Sequence, residues 1–221
     1  PSAISSEHSK SDARELAENL GIEFETLPIR KVVAGALETL KPLIGDRETD
    51  VTEENIQARA RGLLLMAVSN KLGALLLTTG NKSEIAVGYC TLYGDMAGSI
   101  SVLGDVYKTD IYRLAGYINS TEELIPENII KKPPSAELRP GQKDTDTLPE
   151  YGILDSILYQ YIELQKPLAD IKGENINPRL VRKIVDMINK NEYKRFQAPP
   201  ILRISTKAFG IGRRMPLVAI Y

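Results

Sequence analysis

The chain has 221 residues, of which 43% are hydrophobic and 26% are charged, a composition typical of a globular protein with one buried core. Its net charge of -1 gives no bias toward nucleic acid or membranes, and no apolar run reaches the roughly 18 to 20 residues that span a bilayer. One cysteine and one histidine exclude an intrachain disulfide and a zinc site built from such ligands, and they favour a reducing, cytoplasmic location.

The first third of the chain predicts three helices and one strand. Their ranges are Ser9 to Gly21 for the first helix, Ile22 to Ile29 for the strand, Lys31 to Ile44 for the second helix and Thr52 to Leu72 for the third. Pro42 is expected to end or kink the second helix early, because proline removes a helical hydrogen bond. Helical spacing places a buried stripe on the third helix, made of Ile56, Ala60, Leu63, Leu64 and Ala67.

A short apolar run, Ala74 to Thr78, lies between two glycines. This pattern predicts a strand that is covered on both faces. A polar segment from Thr79 to Glu84 follows it directly. In parallel sheets, ligands bind beyond the carboxyl ends of the strands, so this segment is a candidate for the edge of a ligand site.

The second half of the chain predicts mainly helices. Their ranges are Lys108 to Asn119, with Ile111, Leu114, Ala115 and Ile118 facing inward, then Tyr151 to Gln165 and Pro178 to Lys190. Between them, residues 120–150 carry five prolines and predict a long loop, which is uncommon unless it is functional or disordered. The element order indicates a single α/β domain over residues 1–221 with a mostly parallel sheet.

Three polar sets could form a site. Asn55 and Arg59 are neighbours on one helical face and suit a carboxylate or a heterocyclic amide. Thr79 and Glu84 follow the strand, and a carboxylate there could hold magnesium together with phosphate oxygens. Lys108, at a helix start, could contact phosphate. Each set also has a structural explanation: a solvated face, a favourable helix dipole and a mobile surface lysine.

The end of the chain is basic, with few acids nearby. The residues concerned are Lys194, Arg195, Arg203, Lys207, Arg213 and Arg214. The near-neutral charge of the whole chain argues against an RNA groove. A cover over a phosphate-bearing ligand, or a subunit contact, explains this segment better.

Several short motifs together resemble the synthetase domain of the NAD synthetase family. They are Ser5 to Ser9, Asn55 to Arg59, Thr79 to Glu84, Tyr93 to Gly98, Gly104 to Thr109, Lys132 to Pro140, Glu192 to Arg195 and Arg213 to Pro216. The match spans essentially the whole chain in order. Leu92, Ser99 and Tyr193 differ from the ammonia-dependent branch, so the chain is more similar to the glutamine-dependent one.

The resemblance implies a Rossmann-like, three-layer α/β/α fold of the adenine nucleotide alpha hydrolase type. It implies the ATP-dependent amidation of deamido-NAD to NAD: ATP adenylates the nicotinate carboxylate, and ammonia, supplied from glutamine, then displaces AMP. Adenylation builds charge on phosphates, which magnesium and lysine can offset. ATP and Mg²⁺ are therefore the expected cofactors.

The resemblance also implies roles for individual residues. Glu84 and Lys108 would be catalytic, with Glu84 as the magnesium ligand. Thr79, Lys108 and Ser135 would bind ATP. The expected contacts to deamido-NAD are Asn55, Arg59, Glu84, Tyr89, Leu92 and Lys194. The proline-rich loop would form a lid over the nucleotides.

One departure from the family is large. The family's Ser-Gly-Gly-x-Asp-Ser pyrophosphate loop is not in this sequence, so we expect the N-terminal strand and helix of the domain to be missing and the chain to be inactive alone. The family further implies a homodimer, with the helix Thr52 to Leu72 as a candidate contact, and an associated glutaminase domain. Two alternatives remain: another adenylating ligase with a pyrophosphate loop, or a non-catalytic nucleotide-binding module.

Overall fold

The computed structural model describes residues 1–45 and 47–217. The helices in these ranges are α1 (Glu7–Leu20), α2 (Arg30–Ile44), α3 (Val51–Leu72), α4 (Lys82–Val87), α5 (Lys108–Ile118), α6 (Glu127–Lys131), α7 (Tyr151–Leu158), α8 (Pro178–Lys190) and α9 (Glu192–Arg195). The strands are β1 (Leu77–Thr78) and β2 (Ile100–Ser101). None of these helices is both long enough and apolar enough to cross a bilayer.

The two strands form a parallel sheet. Leu77 pairs with Ile100, Thr78 pairs with Ser101, and a further parallel bridge joins Ser101 to Ile201. The predicted α/β class with a parallel sheet is therefore confirmed. β2 was not predicted, because it lies in a glycine-bearing segment without a long apolar run.

The strand predicted from Ile22 to Ile29 is wrong. Residues 22–29 link α1 to α2 without regular structure, and Phe24 and Leu27 are exposed. Alternating apolar residues form a stable strand only when a neighbouring strand satisfies their backbone groups. Within the described ranges, no strand pairs with this segment.

Two helices begin earlier than predicted, because other residues cap them. Ser6 caps α1 by accepting a hydrogen bond from Ser9 N, and Asp50 caps α3 by accepting one from Thr52 N. Side-chain oxygens at these positions satisfy N–H groups that lack helical partners. Pro42 does not end α2, which continues to Ile44. In the last turn of a helix, a proline removes only one such bond.

The stripe predicted on α3 is correct only in part: Ala60 is buried and Ile56 and Leu64 are half-buried, but Leu63 and Ala67 are exposed. The buried residues of α3 are Gln57, Ala58, Ala60 and Gly62, whereas Leu63, Leu65, Val68 and Leu72 are exposed. Helical spacing identifies a helix but does not tell which face a neighbour covers. Here the neighbour is the turn at residues 93–97, and a Cβ on Gly62 would lie 2.7 Å from Tyr93 O. Close packing thus selects small residues.

Two other predicted burial patterns are wrong for the same reason. β1 is not covered on both faces, since Leu75 and Leu77 are exposed. On α5 the predicted inward residues are at most partly buried, and Leu114 and Ile118 are exposed. The hydrophobic core instead lies between α4, α7 and α8, where Leu154, Ile157 and Ile184 are fully buried.

The long proline-rich segment is more ordered than the sequence predicts. It contains α6 and a 3-10 turn at Asp144–Asp146. α7 continues as a π-helical turn, Tyr159–Glu163. Such turns occur often at functional sites.

Candidate active site

Glu84 lies in the first turn of α4, a few residues beyond the carboxyl end of β1. Its carboxylate Oε2 accepts a hydrogen bond from Asn81 N at 3.0 Å, and Asn81 Oδ1 accepts one from Glu84 N at 3.0 Å. This reciprocal capping box fixes the start of the helix. The capping box thus orients the Glu84 carboxylate relative to the start of α4.

A buried lysine anchors the same helix. Lys82 is fully buried, and its Nζ lies 2.8 Å from Asp105 Oδ1 while also donating to Glu163 and to Ser205 Oγ. A buried ammonium is stable only when opposite charges and acceptors surround it. Lys82 therefore ties α4 to the loop before α5, to the π-helical turn and to the C-terminal segment.

Lys108 begins α5 close to Glu84. Its Nζ is 3.8 Å from Glu84 Oε1 and also lies over two rings, 5.5 Å from the centroid of Tyr151 and 5.9 Å from that of Tyr112. The backbone N–H of Lys108 donates to Ser83 Oγ at 2.9 Å. The starts of α4 and α5 therefore meet, and both favour anions there.

The neighbourhood of Glu84 is acidic as well as buried. Burial raises the pKa of Glu84 above its ordinary value; Asp144 and Asp95 raise it further, while Lys108 and the Asn81 N–H lower it. A carboxylate in such surroundings gains from a nearby cation. Within the described ranges, no three His, Cys, Asp or Glu side chains gather as a metal site. The donor set fits a magnesium ion that is held mainly by phosphate oxygens.

Asp144 is a candidate that the sequence reasoning missed. It is 3% exposed, and its Oδ2 accepts a hydrogen bond from Tyr151 OH at 2.8 Å. Its Oδ1 has no hydrogen-bond partner among the described residues. A buried, unpaired carboxylate oxygen is costly. The only sequence signal was an acid inside a loop that was expected to be functional.

Three of the expected dinucleotide contacts lie against one segment, residues 88–95. Asn55 Oδ1 accepts from Thr91 Oγ1 at 2.9 Å, and Arg59 Nε donates to Leu92 O at 3.2 Å. Lys194 Nζ donates to Gly88 O and to Cys90 O, each at 2.7 Å. The structure thus brings residues from α3 and α9 to the segment that follows α4.

Tyr89, in this segment, lies close enough to Asp144 to be affected by its charge. Burial raises the pKa of the Tyr89 hydroxyl, and the charge of Asp144 raises it further. The hydroxyl therefore stays protonated and can donate a hydrogen bond. Leu92 contributes its backbone carbonyl, which is engaged by Arg59. Thr79 is exposed beyond β1.

The segment that carries Ser135 is held by a set of polar bonds. Ser135 Oγ donates to Gln142 O and accepts from Glu137 N. Glu137 accepts from Ser6 Oγ at 3.0 Å, from Ser9 Oγ at 2.7 Å and from Lys132 Nζ at 2.8 Å. Burial acts to raise the pKa of Glu137, but these bonds outweigh it and lower that pKa to about 2.

We name residues 132–147 the clasp segment. Besides its bonds to α1, it accepts a hydrogen bond at Leu138 O from Gln57 Nε2 of α3, at 2.9 Å. The negative charge of Asp144, in this segment, raises the pKa of Glu84. Within the clasp segment, Asp144 N donates to Pro134 O at 3.1 Å, so the backbone next to Ser135 lies beside Asp144.

The basic residues at the end of the chain lie in four different surroundings. Arg195 is buried in α9 and donates to Ala86 O and Ile188 O, so it is a structural residue. Lys194 contacts the candidate site, as described above. Arg203 bonds the backbone of its own segment. Lys207, Arg213 and Arg214 line a separate cavity.

A parallel sheet and polar groups gathered beyond β1 define an α/β protein of the Rossmann-like class. Comparison with known proteins then narrows this class. The sequence model described as NAD synthase matches residues 1–198. The chain belongs to the NAD synthase family.

Individual relatives agree. A glutamine-dependent NAD(+) synthetase from Thermotoga maritima is 54% identical over 219 residues, covering 98% of this chain and 38% of its own length. The structure of a glutamine-dependent NAD+ synthetase from Acinetobacter baumannii, in complex with ADP, is 44% identical with a TM-score of 0.60, and the match covers 99% of this chain and 39% of that chain. The chain thus spans about two fifths of the length of these relatives.

A shorter neighbour also matches. The structure of an NMN synthetase from Francisella tularensis is 27% identical with a TM-score of 0.73, and the match covers 88% of this chain and 73% of that chain. This likeness extends the shared fold to a protein that is named for a different product.

Proposed function

We propose that this chain is the synthetase part of an enzyme that converts deamido-NAD to NAD at the expense of ATP, with ammonia taken from glutamine. The supporting observation is the meeting of Glu84 and Lys108, 3.8 Å apart, where α4 and α5 begin beyond β1. A carboxylate and an ammonium at two helix starts suit a bound polyphosphate and its cation. Membership of the NAD synthase family and the ADP complex of a relative support the choice of nucleotides.

Lys108 is proposed to hold the ATP phosphates and to offset the charge that develops when pyrophosphate leaves. Its ammonium is well placed for this because α5 is fixed through Ser83 and Asp155: Thr109 N donates to Asp155 Oδ2 at 2.9 Å. Positioned charges of this kind lower barriers without reorganisation. Ser135 and Thr79 are proposed as further ATP contacts.

Glu84 is proposed as the magnesium ligand. When bound, the ion would neutralise phosphate charge and orient the reacting oxygens. Asp144 is proposed to support this group, since one of its carboxylate oxygens has no partner among the described residues and its charge raises the pKa of Glu84. The burial that raises the pKa of Glu84 also makes its neighbourhood favourable to a cation.

Deamido-NAD is proposed to lie along residues 88–95. Arg59 and Lys194 supply positive charge, Asn55 and Tyr89 supply neutral hydrogen-bonding groups, and Leu92 supplies apolar contact. In the structure, Arg59 and Lys194 donate hydrogen bonds to backbone carbonyl oxygens of that segment, and Asn55 accepts one from the hydroxyl of Thr91. On this proposal the dinucleotide takes over part of these bonds, so ligand and segment order one another.

The broader assignments are proposals as well. Residues 1–221 would form one ligase domain that works with a glutaminase domain in the cytoplasm. A homodimer contact is proposed on α3, whose Leu65, Val68 and Leu72 are exposed at helical spacing.

The test uses the complete protein with ATP, magnesium, deamido-NAD and an ammonium salt, and measures pyrophosphate release and NAD formation separately. Glu84→Gln is expected to lower both by about a hundredfold or more, because the amide cannot replace a charged ligand. The matched control is Glu127→Gln on α6, an exposed carboxylate paired only with Lys131, which should leave both rates unchanged.

Two outcomes would contradict the proposal. The first is that the wild-type protein forms no NAD with either ammonium or glutamine. The second is that Glu84→Gln retains full pyrophosphate release. The NMN synthetase neighbour makes a mononucleotide substrate the second candidate. If the corresponding mononucleotide acid is amidated faster than deamido-NAD, the class of reaction stands and the substrate assignment is wrong.

A further inference from the structure

A cavity of about 360 Å³ lies outside the candidate active site. One wall is the π-helical turn and the residues after it, including Tyr161 and Lys166. The other wall is the C-terminal segment, with Lys207, Arg213 and Arg214. None of the residues that line it belongs to the site around Glu84.

The lining of this cavity is strongly basic. Lys166, Lys207, Arg213 and Arg214 face it, and none of its lining residues in the described ranges is acidic. Lys166 donates to the neutral Gln160 Oε1 at 3.0 Å, and Arg214 donates to the neutral Gly210 O at 3.3 Å. Lys207 Nζ has no hydrogen-bond or ion-pair partner within residues 1–45 and 47–217. These three charges therefore have no acidic partner in the described part of the chain.

Arg213 is largely buried. Its side chain is 13% exposed, and its Nη1 has no hydrogen-bond partner among the described residues. The nearest carboxylate oxygen, Glu192 Oε2, is 3.5 Å away and already pairs with Arg195 at 2.7 Å. One carboxylate thus faces two guanidinium groups, and positive charge remains in excess.

The only acid on the adjoining turn is also engaged. Glu163 pairs with Lys82 and accepts from Thr206 Oγ1 at 2.9 Å. It cannot neutralise the cavity without giving up its own ion pair with the buried Lys82. A buried guanidinium N–H without an acceptor is costly, so an anion in the cavity would stabilise this arrangement.

We propose that this cavity is a second anion site, which binds a small, multiply charged oxyanion of the phosphate class. Guanidinium forks together with lysine ammonium groups suit phosphate oxygens. The cavity has four cationic side chains, and the charge of one of them, Arg213, is partly offset by Glu192. The remaining positive charge matches the roughly three negative charges of pyrophosphate near neutral pH. The volume suits a small ligand.

The test is calorimetric titration of the complete protein with pyrophosphate, without metal and at low ionic strength, because salt screens such contacts. The double variant Lys207→Gln, Arg214→Gln should weaken pyrophosphate binding by at least about tenfold, since each removes a charged hydrogen-bond donor. Neither residue carries an ion pair in the described structure, so the fold should persist. The matched control is Arg182→Gln, Lys190→Gln on the exposed side of α8.

Parallel titrations separate this site from the active site. Lys108→Ala should leave binding in the cavity intact, and the double variant should leave NAD formation unchanged. Malonate should bind at least about tenfold more weakly than pyrophosphate if phosphate geometry is recognised.

Other outcomes would overturn the proposal. Absence of binding, unchanged binding in the double variant, or loss of all binding in Lys108→Ala would show that the cavity holds no anion. Equal affinity for malonate would overturn the phosphate assignment. The amidation assay is independent of each of these results, so the two proposals can fail separately.

Discussion

At the scale of single residues, the charged groups differ in how firmly the fold holds them. Glu137 receives bonds from two serines and a lysine, whereas Lys108 is in loose contact with Glu84 at 3.8 Å. A charged group whose hydrogen-bonding capacity is already used by the fold cannot readily bind a ligand as well. Lys108 keeps capacity to bind another anion, which suits the role proposed for it.

Glu137 makes a pH-dependent contribution to stability. Its pKa in the folded protein is about 2, below the ordinary value of 4.5. A lowered carboxyl pKa stabilises the fold above the ordinary value, and this contribution is lost as the pH falls through the folded pKa. Glu137→Gln should therefore destabilise the protein more at pH 6 than at pH 3, measured by urea unfolding. Glu127→Gln, on the exposed face of α6, is the control.

An equal loss of stability at both pH values would show that the Glu137 bonds do not depend on its charge. Sequence reasoning did not single out Glu137. Its two serine partners lie more than 120 positions away in the chain, at Ser6 and Ser9. Such a contact exists only after α1 and the clasp segment have packed together, so the local pattern gave no signal.

At the scale of elements, α4 is short but tightly fixed. It has a capping box at its start and a left-handed Gly88 at its end, and Lys82 anchors it from inside. A six-residue helix is not stable by itself. Tertiary bonds therefore set the position of Glu84, and disturbing them should affect both stability and activity.

Lys82→Met should destabilise the protein by about 3–5 kcal/mol, because it leaves Asp105 and Glu163 buried without their cation. The measurement is urea unfolding at neutral pH. Lys31→Met, an exposed lysine at the start of α2, should change the free energy of unfolding by less than about 0.5 kcal/mol. Equal effects of the two variants would mean that the buried pair contributes nothing specific.

The elements also show which features a sequence can predict. Helices with clear spacing and end signals, such as α8, were predicted with correct bounds, and α3 was misplaced only at its start. The stripe predicted on α3 was wrong at Leu63 because Gly62 and Ala58, not the leucines, approach the turn at residues 93–97. Which face of a helix is covered depends on distant segments. Local periodicity cannot supply that information.

At the scale of the whole molecule, the order of the motifs predicted the fold class and the family, and both are confirmed. The site is less fully predictable. Glu84 and Lys108 were expected to meet and do lie close together, whereas Asp144 came to light only from its burial and its unpaired oxygen. The role of a polar residue in a long loop cannot be predicted until the position of the loop relative to the rest of the fold is known.

The exposed apolar face of α3 gives a prediction about assembly. If it forms the proposed dimer contact, the double variant Leu65→Arg, Leu72→Arg should weaken dimerisation of the complete protein by at least about tenfold, because charge would enter an apolar interface. Sedimentation velocity measures this. Leu63→Arg is a matched control, since Leu63 is 62% exposed and lies nearly opposite Leu65 on the helix. A dimer that both variants leave intact would place the contact elsewhere.

The left-handed end of α4 has a further consequence for mutational tolerance. Asparagine adopts a positive φ more readily than most residues, so backbone preference alone would permit Gly88→Asn. A Cβ at Gly88, however, would lie 2.0 Å from Cγ of Asn191, whose amide bonds Val87 O and Met187 O. Gly88→Asn should therefore push α9 and Lys194 outward and weaken deamido-NAD binding, whereas Gly21→Asn, with open space around it, should be tolerated. Two glycines with nearly the same backbone angle would thus differ in how freely they can vary, and sequencing variants that survive selection for NAD synthesis would reveal it.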